Sequence, residues 1–193
     1  MKVKDPRYDY HITVSAHFIL EDNNKILIAK RPETWEWAPG RWSLVGGKLY
    51  KDESFTEGIK RKTKQELGFD VEPKGLYQVK QLVIEGKQAF MYFFVGDYKG
   101  QEIKGEMQDY KWVGQEEVKQ MDLRDFAEFF YRDMFNNYLG GDREVTPMSR
   151  VESLNYIKLS ETKDYRYWFE GIVNKNFDPE KVGDYTKWKE RSS

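Results

Sequence analysis

The chain of 193 residues has no cysteine, which excludes disulfides, thiol nucleophiles and thiolate-bound zinc together and suits a reducing compartment. It also lacks net charge: 32 lysines and arginines face 33 aspartates and glutamates, so no bulk attraction draws it to nucleic acid or to an anionic membrane. Any phosphate binding must therefore be local. Long apolar runs are missing too. The longest, around "AFMYFFV", is far too short to span a bilayer, and the start "MKVKDPRYDYHITV" lacks a signal-type stretch, so a soluble, cytoplasmic protein is expected. Histidine is scarce. His11 and His17 lie in one strand-like run with no metal-ligand or triad partner in view, and a Ser-His-Asp reading has no support. Repeats and low-complexity linkers are absent as well. What is abundant is aromatic character, 16% of residues spread along the chain, which supplies apolar anchors everywhere except the final "KERSS".

The length suits one domain with an appendage. "HITVSAHFIL", the turn "EDNNK" and "ILIAKR" read as a hairpin. After the loop "PETWEWAPGR" comes a short strand, "WSLVGG", in which Trp42 is expected to pack into the core. "GLYQVKQLVIEG" and "KQAFMYFFVGDY" form a second hairpin turning at Glu85-Gly86-Lys87, and "YKWV" is a last short strand. Phe126, Phe129, Phe130, Met134 and Tyr138 recur at helical spacing, which predicts one long amphipathic helix from Glu116 to about Leu139. "LGGDREVTP" stops it. The remainder holds a helical candidate, "SRVESLNYIKLSE", and an aromatic segment, "DYRYWFEGIV", of either type. The expected organisation is a domain over 1–139 and a C-terminal extension over 140–193 packing on it. The element order gives an α+β or α/β sandwich rather than regular βαβ alternation.

The most informative stretch runs from Gly46 to Phe69. Ser54 and Glu57 form a capping-box pair, and Gly68 stands just past the end of the helix they open. Phe55, Ile59, Thr63 and Leu67 make an i, i+4 stripe for packing, while Gly58, Lys62, Gln65 and Glu66 share a neighbouring sector. Gly47, Glu53, Arg61, Glu66, Gly68 and, with an aromatic allowed at the last U, Phe69 match six of nine defined positions of G-x5-E-x7-R-E-U-x-E-E-x-G-U, where U is bulky and aliphatic. This segment resembles the box of the Nudix hydrolase superfamily. The lead-in "PGRWSLVGGK" and the strand "ILIAKR" resemble their counterparts there, so the likeness covers about 11 to 135. It implies an α/β/α sandwich with a mixed sheet. It also implies a supporting Glu53–Arg61 ion pair and unusual backbone angles at Gly46, Gly47 and Gly68.

The departures fall on the positions that in this family hold magnesium or manganese on a substrate diphosphate. "RKTKQE" places Lys62 and Gln65 where two glutamates belong, and Thr63 where an aliphatic belongs, leaving Glu66. The formal charge of the three sites changes from three negatives to zero, and hard cations depend on such ligands. Three readings follow. In the favoured one the protein is a hydrolase cleaving the pyrophosphate bond of a nucleoside diphosphate linked to another group. Its Mg2+ (or Mn2+) would be held by Glu66, Glu106 from the loop "QEIKGEMQD", the Gln65 carbonyl oxygen and the Gly46 backbone carbonyl, with Glu66 and Glu106 catalytic. In the second, metal and hydrolysis are lost, and Lys62 contacts the diphosphate of a nucleotide or ADP-ribose-like ligand directly; a Lys62–Glu66 pair at i, i+4 is the plainer use of that lysine. In the third the domain is a scaffold for protein contacts, a homodimer included. For a ligand, Arg31 and Arg41 would meet phosphate, and Trp35 and Trp37 would stack on a base. Neither nucleic acid nor membrane is expected as a partner.

Overall fold

A computed structural model describes residues 12–50, 53–84 and 87–155. The chain divides into two compact units, 1–147 and 148–193. The first contains β1 (Ile12–Asp22), β2 (Lys25–Lys30), β3 (Trp42–Ser43), β4 (Val45–Lys48), α1 (Phe55–Leu67), β5 (Gly75–Ile84), β6 (Lys87–Asp97), β7 (Asp109–Val113), α2 (Gln115–Gln120), α3 (Tyr131–Leu139) and β8 (Thr146–Pro147). In the second, α4 spans Met148–Asn155, starting one residue before the helical candidate read from the sequence and overlapping its first half. His11, the Glu85-Gly86 turn and the aromatic "DYRYWFEGIV" lie outside the described residues.

The sheet is mixed, in the order β3-β2-β1-β6-β5-β8, with β4 joined to β1 and β7 to β2. β1 and β2 form the expected hairpin across Asn23 and Asn24, both at positive φ (46° and 63°). Two such residues give a turn whose twist matches the strands, and asparagine tolerates that conformation. β1 runs parallel to β6 from Ile12↔Gln88 to Glu21↔Asp97, and its other edge is shared by β2 and then β4. Both faces are covered, so β1 is buried at almost every position from Ser15 to Leu20, with His17 the half-buried exception.

α1 lies on one face. Ser54 accepts from the Glu57 N–H, Glu57 answers at the Ser54 N–H, and Gly68 ends the helix at φ 91°. Phe55 meets Tyr92 and Phe94 with ring centroids 4.6 and 5.2 Å apart, and Ile59, Thr63 and Leu67 are buried behind it. The hydroxyl of Thr63 is satisfied by the Lys60 carbonyl at 3.2 Å, which allows a polar residue at this buried position. α3 covers the opposite face, where Tyr131, Met134, Phe135 and Tyr138 join Ile19, Ile28, Met91 and Phe93 in the main core.

The single long helix expected from Glu116 to Leu139 is instead two helices separated by ten residues. α2 ends at Gln120, and Asp122 starts a 3-10 turn: its carboxylate accepts from the Arg124 N–H, and Asp125 accepts from the Asp122 N–H. Phe126 is extended, forms a bridge with Trp42, and is followed by an Ala127 N–H to Trp42 carbonyl bond of 2.8 Å. Phe126 is buried and Phe129 is 73% exposed, so their apparent helical phase does not describe a shared face. Local capping and a strand-like bridge outcompete the periodicity. Trp42 packs against the core as expected.

Candidate functional site

The site is assembled where α1 crosses β4. Glu53 and Arg61 fix the loop between them. Arg61 Nε donates to Glu53 Oε1 (2.6 Å) and Nη2 to Oε2 (2.7 Å), and Nη2 also reaches the Lys48 carbonyl (3.0 Å). The second Glu53 oxygen also accepts from the Tyr50 N–H, and the guanidinium lies 4.0 Å from the Tyr50 ring centroid. The Arg61 hydrogen bond, more than any other influence, holds the Glu53 carboxyl below its usual range. Lysine cannot reproduce this fork. Arg61→Lys is therefore expected to cost about 1–2 kcal/mol, the scale of a hydrogen bond to a charged group, read as a lower urea midpoint with an unchanged slope.

Glycines then let backbone approach side chain. Gly46 sits at φ 142°, where a Cβ would overlap the Ala16 carbonyl oxygen. Gly47, expected to need an unusual angle, does not adopt positive φ; its requirement is space, since a Cβ would lie 2.8 Å from Lys62 Cε. The Lys62 stem thus runs along β4 and delivers its ammonium to Glu66 Oε1 (3.1 Å) and Gln65 Oε1 (3.3 Å). The Gly46 N–H donates to the other Glu66 oxygen (3.0 Å). Glu66 keeps only 2% of its side-chain surface and Lys62 18%. Burial pushes the Glu66 carboxyl up; the Lys62 charge, the Gly46 N–H and the Lys62 hydrogen bond pull it back, and the Glu106 charge adds to the rise.

The loop before β7 is fastened to the end of α1. Lys104 N–H donates to the Leu67 carbonyl (2.8 Å), Glu106 N–H to Gln65 (3.2 Å) and the Tyr110 hydroxyl to Glu66 (2.5 Å), so three of the helix's terminal carbonyls are satisfied. Gly105 fits between, where a Cβ would overlap the Glu66 carbonyl. Glu106 is thereby held near Glu66, but its side chain is exposed.

Three further residues complete the surroundings: Arg31, expected from the sequence to meet phosphate, and His17 and Glu128, to which the sequence reading gave no role. His17 Nε2 lies 3.0 Å from Ser15 Oγ. Loss of water at its ring, then the Arg31 and Lys62 cations, lower its pKa to about 3, so the imidazole is neutral. Burial lowers the Arg31 pKa and the Glu66 and Glu128 charges oppose it; its Nε donates to the Trp37 carbonyl (2.8 Å) and its guanidinium stands 4.6 Å from the Trp35 ring centroid. Glu128 is half-buried; burial raises its carboxyl, while a Trp37 hydrogen bond and the Arg31 charge oppose the rise. The alternation of β1 could have put His17 and Ser15 on one face, but no local signal places them beside Arg31 and Lys62. Arg41 is exposed and donates to the Phe126 carbonyl (3.5 Å), and Trp37 is 54% exposed.

The donor set does not suit a divalent cation. Among the described residues no group of three or more acidic or histidine side chains could hold one. The sole buried carboxylate of the sector already accepts from an ammonium and a backbone N–H, and the Gln65 oxygen faces the same ammonium. Hard cations need several free oxygens. Of the magnesium ligands expected from the sequence, Glu66 and Gln65 face the Lys62 ammonium, and the Glu106 side chain is exposed.

A mixed sheet between helices, with a glycine-framed loop and helix holding one buried glutamate, defines an α/β/α sandwich. The NUDIX domain model matches residues 9–136, and the chain belongs to this family. It is 31% identical over 106 residues, 54% of this chain and 78% of the relative, to the CTP pyrophosphohydrolase of Escherichia coli strain K12. The MutT protein of Methanosarcina mazei Go1 superposes with a TM-score of 0.60 at 22% identity, over 70% of this chain and 99% of that one. A NUDIX hydrolase of Nitrosomonas europaea gives 0.59 at 14%, over 72% and 95%. These two likenesses support the fold. Among the described residues no helix is long and apolar enough to cross a membrane.

Proposed function

We propose that this chain binds a nucleoside diphosphate derivative, a nucleotide or an ADP-ribose-like compound, through a cationic site that works without metal. The position of Lys62 carries this reading. Its ammonium has three donors; Glu66 and Gln65 take two, and among the described residues the third has no acceptor. Arg31, whose charge acts with that of Lys62 on His17, adds a guanidinium whose Nε donates to the Trp37 carbonyl and which lies over the Trp35 ring. A lysine attracts phosphate as a point charge but does not lower the pKa of a bound water as a divalent ion does. Binding is thus retained while rapid hydrolysis is not supported. Calorimetry with ADP and ADP-ribose should give dissociation constants within about threefold of each other in magnesium and in EDTA, and Arg31→Gln should weaken both about tenfold or more. Affinity that vanishes in EDTA would sink the proposal.

The pyrophosphohydrolase reading is second, favoured by the activity for which the Escherichia coli relative is named and by the placement of Glu106 beside the end of α1. It predicts phosphate or nucleotide release in a mass-spectrometric screen of nucleoside diphosphate derivatives with magnesium, manganese or no metal. Turnover near the enzyme median of about 10 per second would decide in its favour.

A further inference from the structure

β5 has one neighbour along its whole length and another along only its start. β6 pairs with it from Gly75 to Ile84, whereas β8, on the other side, reaches only Gly75 and Leu76. A bulge at Tyr77 follows, and from Gln78 to Ile84 no strand among the described residues takes up the outer edge. That edge is about 20 Å of backbone whose outward N–H and carbonyl groups can template pairing with another chain, unless something blunts it. The usual devices are missing. The stretch "QVKQLVI" holds no proline, and its one charge is turned aside: Lys80 pairs with Met91 of the main core on the α3 face, and its ammonium lies 5.9 Å from the centre of the Phe130 ring.

The side chains along this edge select the chain that fits it. Val79 pairs with Tyr92, Gln81 with Phe90 and Val83 with Gln88; Tyr92 lies under Phe55 of α1, so these three β5 residues share the α1 face. Toward the end of β5 that face is open: Gln81 is exposed, Val83 is 67% exposed, and Ile12, in line with Val83 through Gln88, is 57% exposed. On either side of Gln81 the next residue of this face is a valine. An antiparallel strand meets a copy of itself in reverse order, so this palindrome suits a two-fold axis at Gln81. In that register Val79 faces the second copy's Val83, Gln81 faces its own equivalent, and on the α3 face Lys80 faces Leu82. An axis one residue earlier would set two lysines directly opposite each other, which is unfavourable. We propose that β5 pairs antiparallel with β5 of a second copy through residues 78–84, joining the two sheets into one and making the protein a homodimer. This assignment does not rest on the ligand reading above.

The test is sedimentation velocity on the full chain at concentrations up to about 500 μM, with hydrogen exchange as a second readout. The wild type should move from 23.1 kDa toward twice that mass, with a dissociation constant of about 1 to 100 μM, as befits a small interface. Gln81→Lys and Gln81→Glu change an exposed side chain, so both should fold. Each alone should weaken dimerisation about tenfold or more, because like charges then meet across the axis, and an equimolar mixture of the two should recover it. Outward amides of residues 78–84 should gain protection as concentration rises. A wild type still monomeric at the highest concentration, single variants that dimerise as the wild type does, or a mixture no tighter than its components would each overturn the pairing. Edge amides protected equally at every concentration in a monomer would overturn it too, and would show that another segment of this chain covers β5.

Discussion

Lys62→Met should lower the melting temperature by roughly 5–10 °C at pH 7 and by much less at pH 4.5. Methionine preserves most of the stem that runs along Gly47, so the change removes the ammonium rather than opening a cavity. What remains is Glu66, buried, with the Gly46 N–H as its remaining side-chain hydrogen-bond partner. Deleting one partner of a fully buried pair costs about 3–5 kcal/mol. Lys62 keeps some exposure, and Glu66 can take up a proton, so about 2–3 kcal/mol is expected here. For a chain of this length that corresponds to the shift given.

The pH dependence follows from the direction of the Glu66 shift. Its pKa in the folded chain is raised, chiefly by burial, above the unfolded value of about 4.3. Between the two values the folded chain holds a proton that the unfolded chain has released, so stability from this group is fullest below the unfolded pKa and declines as pH rises through the folded one. Removing Lys62 removes two of the influences that pull the folded pKa down, which widens that window upward. The wild-type and variant melting curves should therefore converge at low pH and separate toward neutrality. A gap that does not change between pH 4.5 and pH 8 would show that Lys62 acts through packing alone.

Much of this architecture was legible because its signals are local. The Ser54–Glu57 box, the Asn23-Asn24 turn, the closing Gly68 and the strand alternation each act within a few residues, and each appears where the sequence put it. The long helix was misread because Phe126, Phe129, Phe130, Met134 and Tyr138 carry helical spacing while Asp122 and Asp125 carry the opposing signal, a capping pair that restarts the chain. Spacing records which residues could share a face, not whether the backbone between them is helical. At the site the same limit appears in another form. That Lys62 can reach Glu66 is an i, i+4 fact visible in one dimension. That Glu66 is sealed by Gly46 depends on how elements distant in sequence meet. The family resemblance located the loop and helix but not their electrostatics, because the positions that differ are those that would have set the charge.

Lys62→Glu combined with Gln65→Glu should convert the protein from magnesium-indifferent to magnesium-dependent. In wild type, saturating magnesium should leave the melting temperature unchanged, since Glu66 already faces an ammonium and a backbone N–H. In the double variant three carboxylates occupy one sector of α1, at positions i, i+3 and i+4, with like charges a few ångströms apart and nothing between them. Without metal this variant should be less stable than wild type, because a cation has been replaced by an anion beside a buried carboxylate. Magnesium at about 100 times its dissociation constant should return about 2.7 kcal/mol by binding the folded state alone. That is roughly 5–10 °C at this chain length. If the loop held by Glu53 and Arg61 keeps its shape, hydrolysis of a bound nucleoside diphosphate derivative should rise by at least about 100-fold over wild type in the same buffer. The two readouts separate two ways of being wrong. Magnesium-dependent stabilisation of the wild type would mean that Glu66 and Glu106 already hold a cation and that Lys62 does not stand in its place. A double variant that gains neither stabilisation nor turnover would mean that the sector of α1 next to Gly46 does not face the ligand's phosphates at all.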